Sequence, residues 1–347
     1  MVGILKNLWR GHGLPGAAMF PSTDARAVAD LLQQCPAHAR TPLRDAAGLA
    51  VALGIAALWL KDERARMGLG SFKALGAAYA IAREAAATNA PDLRHALRDR
   101  VYVTASAGNH GLSVAAGARL FGARAVIYLA SSVPEAFAAR LRGKGAEVVR
   151  TGVDYEASMQ AASEAAEAEG WTLLSDSSWP GYTDLPLRVM EGYLQLAAEA
   201  AAQIDQAPSH ILLQAGVGGL AAAVAAHARQ VWGDGPQIIV VEPEAAPALI
   251  ESIRAGRLVE TTGPPSCMGR LDCKTPSMIA LNGLARDADL FVTISEADAQ
   301  RAVALLAAHG MATTPSGAAG VAALLAGQGL PPEARVMAIL SEGPEDG

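Results

Sequence analysis

The stretch "HILLQAGVGGLAAAVAAH", residues 210–227, decides how the rest of the chain is read. A short apolar run ends in a glycine cluster, Gly216, Gly218 and Gly219, and an alanine-rich run of helix formers follows at once. Short strand, tight turn and helix in that order form the first half of a βαβ unit. The next run, "QIIVVEP" (237–243), supplies the returning strand. Such crossovers are right-handed and build parallel sheets.

The same rhythm extends in both directions. "VYVTA" (101–105), "RAVIYLA" (124–130), "AEVVR" (146–150), "WTLLS" (171–175), "LFVTIS" (290–295) and "RVMAILSEG" (335–343) read as strands, with helices over 109–122, 134–144 and 154–170. The pattern predicts an α/β fold of open, twisted, mainly parallel sheets flanked by helices. Ligands in such folds gather at the carboxyl ends of the strands. Three loops there draw attention: "SAGNHG" after the strand at 101, "GVGGL" after that at 210, and "SEGPEDG" after that at 335. The irregular segment "TTGPPSCMGRLDCKTPS" (261–277) reads as a lid or a surface excursion.

With 347 residues, 51% hydrophobic and 18% charged, the chain can bury a large core in two domains and does not read as disordered. A formal charge of −6 gives no basic field for nucleic acid or anionic membrane. Three cysteines, Cys35, Cys267 and Cys273, fit a reducing compartment, and no zinc spacing surrounds them, so no metal is expected. Lys6 and Arg10 interrupt any signal-peptide core, and no uncharged run reaches membrane-spanning length; the expected location is cytoplasmic.

The glycine loop suits an anion, because glycines admit close approach and the helix start offers unpaired N–H groups. A dinucleotide competes for the same residues. Gly216, Gly218 and Ala221 satisfy G-x-G-x-x-G/A, and Glu242 ends the next strand where a ribose-binding acid would stand. In "GLGSFKALG" (68–76), Lys73 opens a helix that is apolar nearly all round. Such a lysine must snorkel, pair with an acid, or lose its charge more easily through burial. A second anion site, for a carboxylate, is offered by "TASAGNHGLSVAAGARLFG" (104–122), whose polar cluster heads another apolar helix.

"SFK", "SAGNHG", "GVGGL" and "LSEG", in this order, resemble the fold-type II pyridoxal-phosphate (PLP) enzymes, the tryptophan synthase β and threonine dehydratase family. "KDERARMGLGSFKALGAAYA", "SDSSWPGYTDLPLRVMEGYLQL" and "TTPSGAAG" are most similar to the diaminopropionate ammonia-lyase branch. The resemblance implies a large PLP-binding domain (1–94 plus 178–347), a small mobile domain (95–177), a cofactor in the cleft between them, and a homodimer. It implies that Lys73 forms the Schiff base. Gly216, Val217, Gly218, Gly219 and Leu220 would cradle the phosphate, Asn109 bond the ring hydroxyl, and Ser341 meet the ring nitrogen. Ser106, Ala107, Gly108 and His110 would face the substrate carboxylate. Asp176 matches an acid implicated in Cα-proton chemistry, with a local turn role as its alternative.

The reaction implied is β-elimination on a small amino acid, of the diaminopropionate or hydroxyamino-acid kind, giving a 2-oxo acid and ammonia. A neutral Ser341 favours elimination over transamination. Alternatives are a β-replacement synthase, an NAD-binding oxidoreductase, and a protein that only sequesters PLP. One departure bears on the leaving group: the diaminopropionate enzymes carry aspartate where this chain has Ala107.

Overall fold

The computed structural model describes residues 3–106, 108–327 and 329–344. Eleven strands form within them: β1 (Ile4–Lys6), β2 (Leu43–Asp45), β3 (Ala57–Asp62), β4 (Val101–Ala105), β5 (Arg124–Leu129), β6 (Glu147–Arg150), β7 (Thr172–Leu173), β8 (His210–Gln214), β9 (Gln237–Pro243), β10 (Leu290–Ile294) and β11 (Arg335–Leu340). They make a seven-stranded sheet in the order β1-β10-β9-β8-β11-β3-β2 and a four-stranded sheet in the order β6-β5-β4-β7. The four-stranded sheet is parallel throughout. The larger one is parallel except for its two edge strands, β1 and β2, which pair antiparallel.

Burial explains the composition of the strands. In β9 every residue after Gln237 is buried, as expected of a parallel strand covered by helices on both faces. The expected strand over 171–175 shortens to the two residues of β7. Beyond them the Tyr182 hydroxyl takes the place of a strand partner, accepting from the Ser175 amide at 3.0 Å and donating to the Leu173 carbonyl at 2.7 Å. The dominant core lies around the helices Lys73–Ala87 and Gly219–Trp232, whose small side chains let neighbouring helices approach closely. No described helix is long and apolar enough to cross a membrane.

β3 leads directly to the lysine segment. An isolated bridge joins Ser71 to Glu342, Phe72 N donates to Ser341 O at 3.0 Å, and Gly343 N donates to Gly70 O at 2.9 Å. The turn before Lys73 is therefore stitched to the segment that follows β11.

Candidate active site

Lys73 opens its helix with its side chain 20% exposed, and its ammonium is hydrogen-bonded to Asp176, itself 17% exposed. Burial alone would pull the Lys73 pKa down, but the charge of Asp176 reverses the sign and holds it above its ordinary value. For Asp176, burial works in the opposite sense; Lys73 and His110 outweigh it and hold the carboxyl well below the usual range. Of the three fates open to a buried lysine, the structure shows pairing.

Asp176 is held by its surroundings. Tyr182 fixes the end of β7 just before it, and the Ser178 hydroxyl lies 2.7 Å from that of Ser277, tying this segment to the 261–277 connection. Beside the pair, the ring centroids of Phe72 and Tyr193 lie 5.3 and 6.0 Å from Lys73 Nζ. Burial pushes the Tyr193 phenol up to about 12, with the Lys73 charge opposing, and its hydroxyl is buried without a well-formed hydrogen bond.

The "SAGNHG" loop follows β4. Ser106 Oγ knots it by accepting from the amides of Gly108 (3.2 Å) and Gly111 (3.0 Å). His110 is buried, and desolvation lowers its pKa. Its Nε2 lies 2.8 Å from the Leu174 carbonyl, which requires a proton on that nitrogen and leaves Nδ1 bare. Asn109 donates through Nδ2 to Glu342 Oε2 at 2.5 Å. Ala107, counted among the substrate-facing residues, lies outside the described residues.

The glycine loop follows β8 and leads into the helix Gly219–Trp232. Gly218 has φ +97°, which disfavours any side chain. At Gly216 a Cβ would fall 2.9 Å from Cys273 Sγ and 3.0 Å from the Arg270 carbonyl oxygen. No side chain caps the helix that starts at Gly219, so the amides of its first turn remain available to a ligand. Ser341 is buried where β11 ends. Glu242 is not available to a ribose: its two oxygens accept from the amides of Leu249 and Ile250, each at 2.7 Å.

Several residues near this centre escaped the sequence reading. The Cys273 sulfur packs on Gly216, and burial with the Asp176 charge pushes its thiol up to about 12. All three cysteines are free. The Arg270 side chain lies across Gly108. Lys61, Glu63, Arg66 and Glu199 form a buried charge cluster, with Lys61 Nζ 2.7 Å from Glu199, and Arg66 2.6 Å from Glu63 and 2.7 Å from Glu199. The cluster anchors the chain between β3 and Lys73.

Comparison with known proteins supplies the family. Residues 35–342 match the family described as "Pyridoxal-phosphate dependent enzyme". The chain is 34% identical to a diaminopropionate ammonia-lyase of Salmonella typhimurium, over 84% of this chain and 79% of the relative. It is 32% identical to a human serine dehydratase-like protein, over 73% and 71%. Among solved structures, Escherichia coli diaminopropionate ammonia lyase "in complex with aminoacrylate-PLP azomethine reaction intermediate" superposes with a TM-score of 0.89 at 29% identity, covering 100% of this chain and 94% of that one. This chain therefore belongs to the fold-type II pyridoxal-phosphate dependent enzymes.

Proposed function

We propose that the protein is a PLP-dependent lyase that eliminates ammonia or water from the β-carbon of a small amino acid, releasing a 2-oxo acid and ammonia. The observation that carries this reading is the Lys73–Asp176 pair, a largely buried ammonium and carboxylate in direct contact close to His110 and Cys273. The residues present suit the cofactor. At Gly216 and Gly218 neighbouring protein atoms leave no space for a Cβ, and no side chain caps the helix that follows, so the backbone from Gly216 through Val217, Gly218 and Gly219 to Leu220 would meet the phosphate through its amides. Lys73 would bond the cofactor, with Asn109 and Ser341 at its ring. When bound, PLP supplies an electron sink for negative charge at the substrate Cα.

The chain's own residues supply the rest. Lys73 must lose its proton before its amine can act as a nucleophile, and Asp176 would be its hydrogen-bond partner as it does so. Lys73 or Asp176 then receives the Cα proton, a step in which a positioned base contributes about 10²–10⁴-fold. Of the amides expected to face the substrate carboxylate, that of Ser106 already donates to the Tyr128 carbonyl and that of Gly108 to Ser106 Oγ, so the amide of His110 would be left to hold it. The buried, neutral His110 adds no charge there. Residues 95–177 would move as the small domain over the cleft.

The test is an amino-acid panel offered to the PLP-loaded protein, with 2-oxo acid and ammonia both measured. Diaminopropionate should give two ammonia molecules per 2-oxo acid, and serine one. Product only when a second nucleophile is added would favour a synthase, and a yellow protein inert to the whole panel would favour sequestration.

A further inference from the structure

The carboxylate of Glu342 belongs to none of the roles above, yet it is 95% buried beside the site. Donors converge on it. Asn109 Nδ2 donates to Oε2 at 2.5 Å, and Thr314 Oγ1 donates to Oε1 at 2.5 Å. The Thr314 oxygen also accepts from the Gly317 amide at 3.0 Å, which leaves its own proton for Glu342. Thr313 Oγ1 donates to the backbone carbonyl of Glu342 at 2.5 Å, and Arg270 Nε stands 3.9 Å from Oε2. A carboxyl group met by donors and a guanidinium is held as the anion. The anion in turn fixes Asn109, because an amide that faces a carboxylate must present its nitrogen.

We infer that Glu342 is the positioning residue for Asn109: it fixes the amide plane before the cofactor arrives and places a negative charge behind it. The inference rests on the proposed role of Asn109 at the ring hydroxyl of PLP. Without Glu342 the amide can rotate or flip, and part of the binding free energy must go into ordering it. The charge has a second effect. It disfavours a negative ring oxygen, so its removal should let the ring hydroxyl ionise at lower pH.

The experiment is a double-mutant cycle read by cofactor binding, not turnover. Protein stripped of cofactor is titrated with PLP, followed by visible absorbance, for wild type, Glu342→Gln, Asn109→Ala and the double variant. Glutamine preserves shape while removing charge, and the melting temperature of each stripped protein reports folding. Glu342→Gln should weaken PLP binding about tenfold in the wild-type background, the scale of one charge-assisted hydrogen bond, and by under about twofold beside Asn109→Ala. The pH midpoint of the bound cofactor's absorbance should also move down.

Unchanged or tighter binding in Glu342→Gln would overturn the inference, as would an equal penalty in both backgrounds. A wild type that binds PLP normally while Glu342→Gln matches it sinks the inference alone. A wild type that does not bind PLP sinks the proposed function first.

Discussion

At Asp176, replacement by asparagine separates two effects. The variant keeps the shape of the site and removes the charge that holds Lys73 protonated. Turnover should fall by about 10²–10⁴-fold, the contribution of a positioned base. The rate at which stripped protein bonds PLP should respond in the opposite sense on the pH axis. Without the Asp176 charge burial is opposed far less, so the Lys73 amine loses its proton at lower pH. The midpoint of the rate–pH profile should therefore move down in Asp176→Asn, as stopped-flow absorbance can measure; a midpoint that stays or moves up would show that Asp176 does not set the charge of Lys73. From sequence, Lys73 and Asp176 were legible as candidates, but their pairing was not, because 103 residues separate them. Cys273, Tyr193 and Arg270 carried no signal of their own. Glu342 stands inside "LSEG", but its partner Asn109 lies 233 residues away, a pairing that sequence spacing does not reveal.

Among the elements, the loop of β8 and its helix make the clearest case. Gly218→Ala would force a side chain onto φ +97°, at a cost of about 1–2 kcal/mol, with its Cβ 3.1 Å from that of Ala280. The stripped variant should melt lower than wild type and also bind PLP more weakly; loss of stability with unchanged affinity would remove this loop from the phosphate site. β9 makes a second case. Burial pushes the Glu242 carboxyl up to about 8, against the two amide bonds at the start of the helix Ala248–Ala255. A raised pKa in the folded state means that the folded protein binds the extra proton. The stability this gives is full below the ordinary carboxyl range and is lost as pH rises through about 8. Wild type should thus lose melting temperature relative to Glu242→Gln between neutral pH and pH values above 8; parallel curves would show that Glu242 does not titrate there. The strands β4 to β11 were legible because their apolar runs are bounded by turns. β1 and β2 have three residues each and lie at sheet edges, too short to leave a pattern. β3 ends in Lys61 and Asp62, which read as surface residues but are buried with charged partners.

For the molecule as a whole, the cofactor should be a stabilising ligand as well as a reagent. Its proposed contacts join segments distant in sequence: Lys73, the loop after β4, the loop after β8 and the end of β11. A ligand that binds only the folded state adds about 2.7 kcal/mol at roughly a hundredfold excess over Kd. PLP should raise the melting temperature of the stripped protein in a concentration-dependent way, and the rise should shrink in Lys73→Ala; equal rises in both would place the stabilising site elsewhere. The order of strands in the larger sheet has a further consequence, for how the protein is made. β11, the last strand among the described residues, lies between β8 and β3, two strands that emerge from the ribosome well before it. The four-stranded sheet is built from one continuous stretch of chain and can form during synthesis, whereas the larger sheet keeps an open slot between β8 and β3 until β11 has emerged. During that interval the inner edges of β3 and β8 are exposed to any passing strand, the kind of edge through which nascent chains aggregate. Arrested nascent chains that stop before residue 335 should therefore hold a protease-resistant fragment spanning roughly the four-stranded sheet, and little else.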